Sequence, residues 1–314
     1  MTITKPTQLA IRRAAAALLR DRLVAFPTET VYGLGARARS ARAVLRLYAA
    51  KGRPRFNPLI AHVADLAQAR RLVRFDARAE ILARHFWPGP LTLVLPRQAG
   101  AAVSRLAGAG LATLGVRIPD HPVALALLRR VGEAVVAPSA NPSGRLSPTR
   151  AGDVARTLGG RVMCVLDGGA CRIGLESTVV DLSGPVARLL RPGGIAREAI
   201  EALIGPLAAP GTTINAPGML ASHYAPRARL RLDAHAAGPG EAYLGFGPLP
   251  ALPAGVPALS LSATRDPHEA AYNLFAFLQT LDRPHVRTIA VAPIPSSGLG
   301  LAIRDRLARA AAPR

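Results

Sequence analysis

Apolar positions along this chain recur at two periods that alternate. Residues 7–22 carry apolar Leu9, Ala10 and Ala17 and basic Arg13 and Arg20 at helical spacing, which predicts an amphipathic helix. A short apolar run at 23–26 predicts a buried strand. The same pairing repeats: Ser40 caps a helix to about 50, a strand covers 59–63, and Asp65 and Asp76 cap helices running toward 73 and 86. Pro88-Gly89-Pro90 stops the last of these, and 91–95 is a strand. A strand at 114–118, a helix at 122–131, a strand at 134–137 and a helix from 149 to 158 follow. Strands at 162–166, 177–181 and 187–190 and a helix at 197–204 complete the series. This alternation predicts an α/β fold, a twisted mixed sheet with flanking helices.

At 205–226 the periodicity stops. The run is rich in Pro, Gly and Ala with few charges, and reads as an extended linker. Beyond it, strands at 228–232, 242–246, 258–261 and 288–292 alternate with helices at 267–281 and 299–312, a smaller α/β unit with a Rossmann-like rhythm. The organisation read from the pattern is therefore 1–206, a catalytic domain; 207–227, a linker; and 228–314, a small C-terminal α/β domain. A length of 314 residues suffices for two cores. There is no internal repeat.

Composition narrows the classes. Half of the chain is hydrophobic and only 4% aromatic, so the cores should be built from Ala, Val, Leu and Ile. The net charge of +21 suits an anionic ligand, a nucleotide or RNA, although arginine-rich, Ala/Gly/Pro-rich composition also follows genome bias. Thirty bases and 13 acids fall in 1–206 against 10 and 6 in 207–314, which puts anion binding in the first domain. Cys164 and Cys171 support neither a disulfide framework nor a zinc site. The opening residues lack a secretory pattern, and a long uncharged run, 242–264, is interrupted by four prolines. A soluble cytoplasmic protein without a membrane span is expected.

The stretch from Lys51 to Leu59 holds three cations, two prolines and a glycine in nine residues, and Lys51 is one of two lysines in the chain. A compact ammonium suits a phosphate oxygen; a proline-stiffened basic surface loop is the plainer reading. P-loop, dinucleotide, nucleophile-elbow and zinc-protease motifs are all missing. What remains is polar residues after strands, where open α/β sheets bind ligands. Thr28, Glu29, Thr30 and Tyr32 could hold an amino acid or ribose. Lys51, Arg53, Arg55 and Asn57 could hold phosphate. Thr113 and Arg117 lie in a strand, where an arginine needs a ligand carboxylate or a structural acid. Ser139, Asn141, Ser143 and Ser147 form a polar turn. Ser177, Arg191 and the pair His223-Tyr224 close the set, His223 alone being more often structural or solvated than catalytic.

In order along the chain, Phe-Pro-Thr-Glu-Thr-Val-Tyr-Gly-Leu-Gly (26–35), Lys-Gly-Arg-Pro-x-x-Asn-Pro-Leu (51–59), Trp-Pro-Gly-Pro-Leu-Thr-Leu (87–93), Val-Arg-Ile-Pro (116–119), Ala-Pro-Ser-Ala-Asn-x-Ser-Gly (137–144) and Glu-Ser-Thr-Val-Val-Asp (176–181) closely resemble the YrdC-like domain of the L-threonylcarbamoyladenylate synthases. Ala-Pro-Gly-Met-Leu-x-x-His-Tyr-Ala-Pro (216–226) and the run from Gly298 to Leu307 are similar to that family's long, two-domain form. The resemblance implies an ATP-dependent synthase, a nucleotidyltransferase. It would turn L-threonine, bicarbonate and ATP into threonylcarbamoyl-AMP and pyrophosphate, for modification of adenosine in tRNA by downstream enzymes. It gives Thr30, His62, Arg117, Ala137 and Ser177 to threonine. It gives Lys51, Arg53, Asn57, Thr113, Ser139, Asn141, Ser147, Arg191 and Tyr224 to ATP, with Lys51 and Arg53 neutralising charge in the catalytic step. Mg2+ would come on the ATP phosphates, no residue being assigned to a metal. Glu29 is the candidate general base. A basic RNA-binding module and a relative that carbamoylates another acceptor are the alternatives, and direct tRNA binding is left open.

Overall fold

The computed structural model describes residues 1–211 and 222–313. The middle of the predicted linker, 212–221, lies outside the described residues, and with it the Ala216 to Leu220 part of the linker motif.

Short apolar strands gain stability by pairing edge to edge. Among the described residues ten do so in the first domain: β1 (Thr2–Thr4), β2 (Val24–Phe26), β3 (Gly33–Arg37), β4 (Ile60–His62), β5 (Leu91–Pro96), β6 (Thr113–Arg117), β7 (Val135–Val136), β8 (Cys164–Leu166), β9 (Thr178–Asp181) and β10 (Arg188–Arg191). Their order is β1-β8-β2-β3-β7-β4-β6-β5-β9-β10, with parallel and antiparallel pairs mixed. Successive strand residues face opposite sides. Val24 and Phe26 accordingly enter a core shared with α1 (Gln8–Leu19) and α5 (Pro122–Val131), while Ala25 enters the other. That second, larger core is closed by α2 (Ala41–Lys51), α3 (Leu66–Leu72), α4 (Ala77–Phe86), α6 (Ala151–Leu158) and α7 (Arg197–Ile204). Both cores consist mainly of Ala, Val and Leu, as the composition predicts.

The predicted caps form: Ser40, Asp65 and Asp76 each accept from the backbone N–H three residues on. Helix α2 ends at Gly52, whose φ of 59° is left-handed, so Lys51 becomes its last residue and the chain turns sharply into the basic loop. The pattern missed β1 and β3. Strand β3 reads Gly-Leu-Gly-Ala-Arg, poor in strand formers, and its glycines are there for clearance. A Cβ on Gly35 would come within 2.9 Å of Phe26 and 3.1 Å of the Val24 carbonyl. The helix predicted from 149 starts at Ala151, because the Asp153 carboxylate accepts from the Thr149 and Arg150 N–H groups before it.

In the second domain β11 (Arg229–Arg231), β12 (Glu241–Gly245), β13 (Ala258–Ser260) and β14 (Thr288–Val291) form a parallel sheet ordered β11-β14-β12-β13, with α8 (Pro267–Leu281) and α9 (Gly298–Ala311) packed on it. Its core is not self-contained. Val31, Leu146, Leu175 and Tyr224 join Leu274, Phe275 and Ile303 in one apolar cluster, so the two domains are continuous in their packing. At the seam, Gly174 has φ 80° and approaches α8 so closely that a Cβ would meet the Ala271 carbonyl at 2.5 Å. The first predicted linker residues also stay with the large sheet, where Ala208 bridges to Arg188 beside β10.

Candidate active site

Two adjacent strands start the site. His62 ends β4 and Arg117 ends β6, and the two are register partners. Both are buried. Arg117 donates from Nη2 to Glu29 Oε1 at 2.7 Å and from Nε to the Gly89 carbonyl at 3.2 Å. The sequence left open whether a ligand or a structural acid would meet this arginine; Glu29 meets it. His62 Nδ1 lies 3.2 Å from the Ile60 carbonyl. Burial, with the Arg117 charge added, pushes the imidazole down to about 3. The ring is therefore neutral at physiological pH, with Nδ1–H donating to Ile60 and Nε2 left as an acceptor.

Thr30, Ala137 and Ser177 complete this half. They come from the turn after β2, from the end of β7 and from the residue before β9. Ser177 Oγ is 2.7 Å from Thr92 Oγ1, and its carbonyl accepts from Arg191 Nη2 at 2.9 Å. Thr30, His62, Arg117, Ala137 and Ser177 all line one cavity. Tyr32 belongs elsewhere: its hydroxyl donates to the Gly169 carbonyl at 2.7 Å, inside the fold.

The other half is held by loops. Arg53 donates to Asn57 Oδ1 at 2.6 Å and to the Pro58 carbonyl at 2.9 Å, which curls the basic loop back on itself. Burial, with the Arg191 charge opposing too, brings Arg53 down to about 10, still protonated at neutral pH. The Lys51 ammonium donates to the carbonyls of Ser139 and Asn141, and the Lys51 carbonyl accepts from Ser143 N at 2.8 Å. Burial and the neighbouring Arg53 hold this lysine well below its ordinary range. Arg53, Ser139, Arg191 and Tyr224 line the same cavity as the first half. Lys51, Asn57, Asn141 and Ser147 stand directly behind it. Thr113 is not among the residues that line this cavity. It shares a strand face with Arg117 but lies four residues earlier on β6, about 13 Å away.

Sequence reasoning missed Glu176 and Arg306. Glu176 lines the cavity, accepts from Ser147 Oγ and pairs with Arg306 Nε at 2.8 Å. Burial alone would raise this carboxyl; Arg306, Arg191 and Ser147 together hold it below its ordinary value. Arg306 comes from α9, where Leu299, Ile303, Arg306 and Ala310 share the buried face. An arginine on the apolar stripe of a helix was the available signal. His223, expected to be structural or solvated, is buried at the cavity wall and pushed down to about 3 by burial.

Buried polar groups normally find partners. Among the described residues, Glu29 Oε2, Asn57 Nδ2, Asn141 Oδ1 and His223 Nδ1 are buried without one. Glu29 Oε2 and Asn141 Oδ1 are acceptors and Asn57 Nδ2 is a donor, so the region offers unmet hydrogen-bonding capacity of both kinds to a polar ligand. The cavity has a volume of about 50 Å³. Among the described residues no group of three or more His, Cys, Asp or Glu side chains could hold a metal ion.

Residues 16–193 match the family described as "Telomere recombination", and 195–312 match "Threonylcarbamoyl-AMP synthase, C-terminal domain". The threonylcarbamoyl-AMP synthase of Bacillus subtilis is 41% identical, over 97% of this chain and 93% of that protein. The Pyrococcus abyssi enzyme of the same name is 42% identical, over 96% and 93%. A crystal structure of P. abyssi Sua5 complexed with L-threonine superposes with a TM-score of 0.89 at 40% identity, covering 99% of this chain and 96% of that one. Escherichia coli YciO, at 24% identity and a TM-score of 0.55, shares the fold over 62% of the chain. With both of its domains matched and relatives above 40% identity over nearly its whole length, the chain belongs to the threonylcarbamoyl-AMP synthase family.

Proposed function

We propose that this chain converts L-threonine, bicarbonate and ATP into L-threonylcarbamoyl-AMP and pyrophosphate, supplying the threonylcarbamoyl group to downstream tRNA-modifying enzymes. The observation that carries the reading is the meeting of two differently built halves on one buried cavity, Thr30, His62, Arg117 and Ser177 facing Arg53, Ser139, Arg191 and Tyr224. A carboxylate-binding arginine beside a neutral histidine acceptor suits an amino acid. Arg53, Arg191 and the amide and hydroxyl groups around them suit a triphosphate.

The chemistry asks for little more. Threonine's ammonium group and bicarbonate combine, a C–N bond forming as a C–O bond of bicarbonate breaks, to give a carbamate with release of one water and one proton. A carbamate oxygen attacks the α-phosphorus of ATP, a P–O bond forms, and the bond to the β-phosphate oxygen breaks as pyrophosphate leaves. Such a transfer depends on alignment and on neutralising charge at the phosphates. Arg117 would hold the threonine carboxylate, and His62 Nε2 would accept from the hydroxyl or amine. Arg53 and Lys51 would neutralise the phosphates, Lys51 after exchanging the Ser139 and Asn141 carbonyls for phosphate oxygens. Mg2+, bound by phosphates and water, would share that neutralisation. Glu29, already paired with Arg117, is better read as that arginine's anchor than as a general base.

Lys51, Arg53, Arg117 and Arg191 are all buried, which favours a small anion over a polynucleotide backbone. Among the described residues no helix is long and apolar enough to cross a membrane, and a reaction that uses ATP and serves tRNA suits the cytoplasm. The test is pyrophosphate release from ATP in bicarbonate buffer with and without L-threonine. Threonine-dependent release supports the reading. Release with another acceptor alone, or salt-sensitive tRNA binding without turnover, overturns it.

A further inference from the structure

Arg306 is 1% exposed, yet most of what it touches lies outside its own domain. From α9 of the small domain its Nε donates to Glu176 Oε2 at 2.8 Å and its Nη2 to the Pro192 carbonyl at 3.0 Å. Its guanidinium carbon sits 5.1 Å from the centre of the Tyr224 ring, a cation–π distance. Among the described residues Asp305, bound to Nη1 at 2.6 Å, is its one hydrogen-bonding partner within the domain. An arginine placed to stabilise the small domain alone would have no need of these outside contacts.

Tyr224 needs holding. Its φ of 61° is in the left-handed region, which a tyrosine rarely occupies without surrounding support. The support comes from the small domain: Arg306 over the ring, and Phe275 of α8 with centroids 5.7 Å apart. His223, next to it, donates its backbone N–H to the Arg309 carbonyl of α9 at 3.1 Å. The small domain therefore grips both residues of the His-Tyr pair.

We infer that Arg306 is a positioning residue for ATP, through which the small domain completes the nucleotide half of the site. It acts by two routes: through Glu176, which fixes Ser147, and through the ring of Tyr224. Its third contact, Pro192, follows Arg191 directly. The arginine and histidine of the threonine half are braced by Glu29, Gly89 and Ile60, all in the catalytic domain. Arg306 thus bears directly on the nucleotide half and, among the described residues, makes no hydrogen bond or ion pair with Arg117 or His62. The inference rests on the synthase reading above.

The test is Arg306→Lys in the full chain. Lysine keeps the charge but loses the planar fork that serves two acceptors and stacks on a ring. KM for ATP should rise about tenfold while KM for threonine stays within about twofold. The double variant Arg306→Met with Glu176→Gln removes both charges, so neither is left buried alone, and should show the same selectivity. An equal rise in both KM values, or an unchanged KM for ATP in either folded variant, overturns the inference. The wild type separates this from the parent reading: without threonine-dependent pyrophosphate release the synthase reading itself fails, whatever the variants do.

Discussion

The two halves of the site are built by opposite means. The half proposed for threonine rests mainly on strands: His62 and Arg117 end β4 and β6, and Ser177 immediately precedes β9. The ladder that makes the sheet also sets their spacing. The nucleotide half hangs on a helix end, two loops and the chain entering the second domain. Its groups are fixed by side chains donating to backbone carbonyls: Lys51 to Ser139 and Asn141, Arg53 to Pro58, Arg306 to Pro192. A small rigid substrate needs only the sheet. A long, flexible, highly charged one is met by parts that come from across the chain.

The largest test of this contrast is Arg117→Ala. It removes the carboxylate fork and leaves Glu29 buried without its partner, so KM for threonine should rise by about 10²–10³ while KM for ATP moves only a few-fold. Arg117→Lys, which keeps a charge for Glu29, separates fork geometry from folding. Equal losses for both substrates would mean the halves are not independent. Next is Lys51→Met, which should lower kcat by about 10² with KM for threonine nearly unchanged, as expected for a group that matters when charge moves on the phosphates. A Lys51→Met enzyme with normal kcat would reduce Lys51 to a brace for the 139–143 loop.

A smaller effect is read in stability. Burial holds His62 down at about 3 in the fold, against 6.5 for the free side chain. Between those values the unfolded chain binds more protons than the folded one, so stability is complete above about pH 6.5 and falls as pH is lowered toward 3. The cost from pH 6.5 to 5 is about 2 kcal/mol. Replacing His62 by Gln should flatten the fall measured by denaturant titration across that range, and an unchanged slope would mean the ring is not buried neutral. His223, also at about 3, should add a similar slope from the nucleotide half.

Much of this architecture is legible in the sequence because its signals are local. Asp65 and Asp76 announce their helices a few residues ahead, and α5 and α8 begin at the prolines that mark them. Strand β3 was hidden because Gly33 and Gly35 are chosen for how near Phe26, Val24 and Ala137 come, and that distance is set by other strands. The site divides in the same way. Lys51, Arg53 and Asn57 sit within seven positions, so their grouping can be read directly. Glu176 lay inside a quoted motif without a role, because its partner Arg306 is 130 residues away. Pairing across a domain seam leaves no trace in spacing. Only an arginine on a buried helical face pointed to it.

The charges gathered at the cavity also bear on how this protein should be handled. Among the described residues Lys51, Arg53, Arg117, Arg191 and Arg306 are buried at or near one cavity, with Glu29, Glu176 and Asp305 as the carboxylates paired with them. The fold thus carries an unbalanced positive charge in its interior. Any polyanion that binds there relieves it, and its binding energy is added to that of folding. Phosphate, pyrophosphate or ATP in the buffer should each raise the melting temperature in proportion to the logarithm of their concentration over Kd. A preparation dialysed free of them is, in thermodynamic terms, a weaker protein with the same sequence.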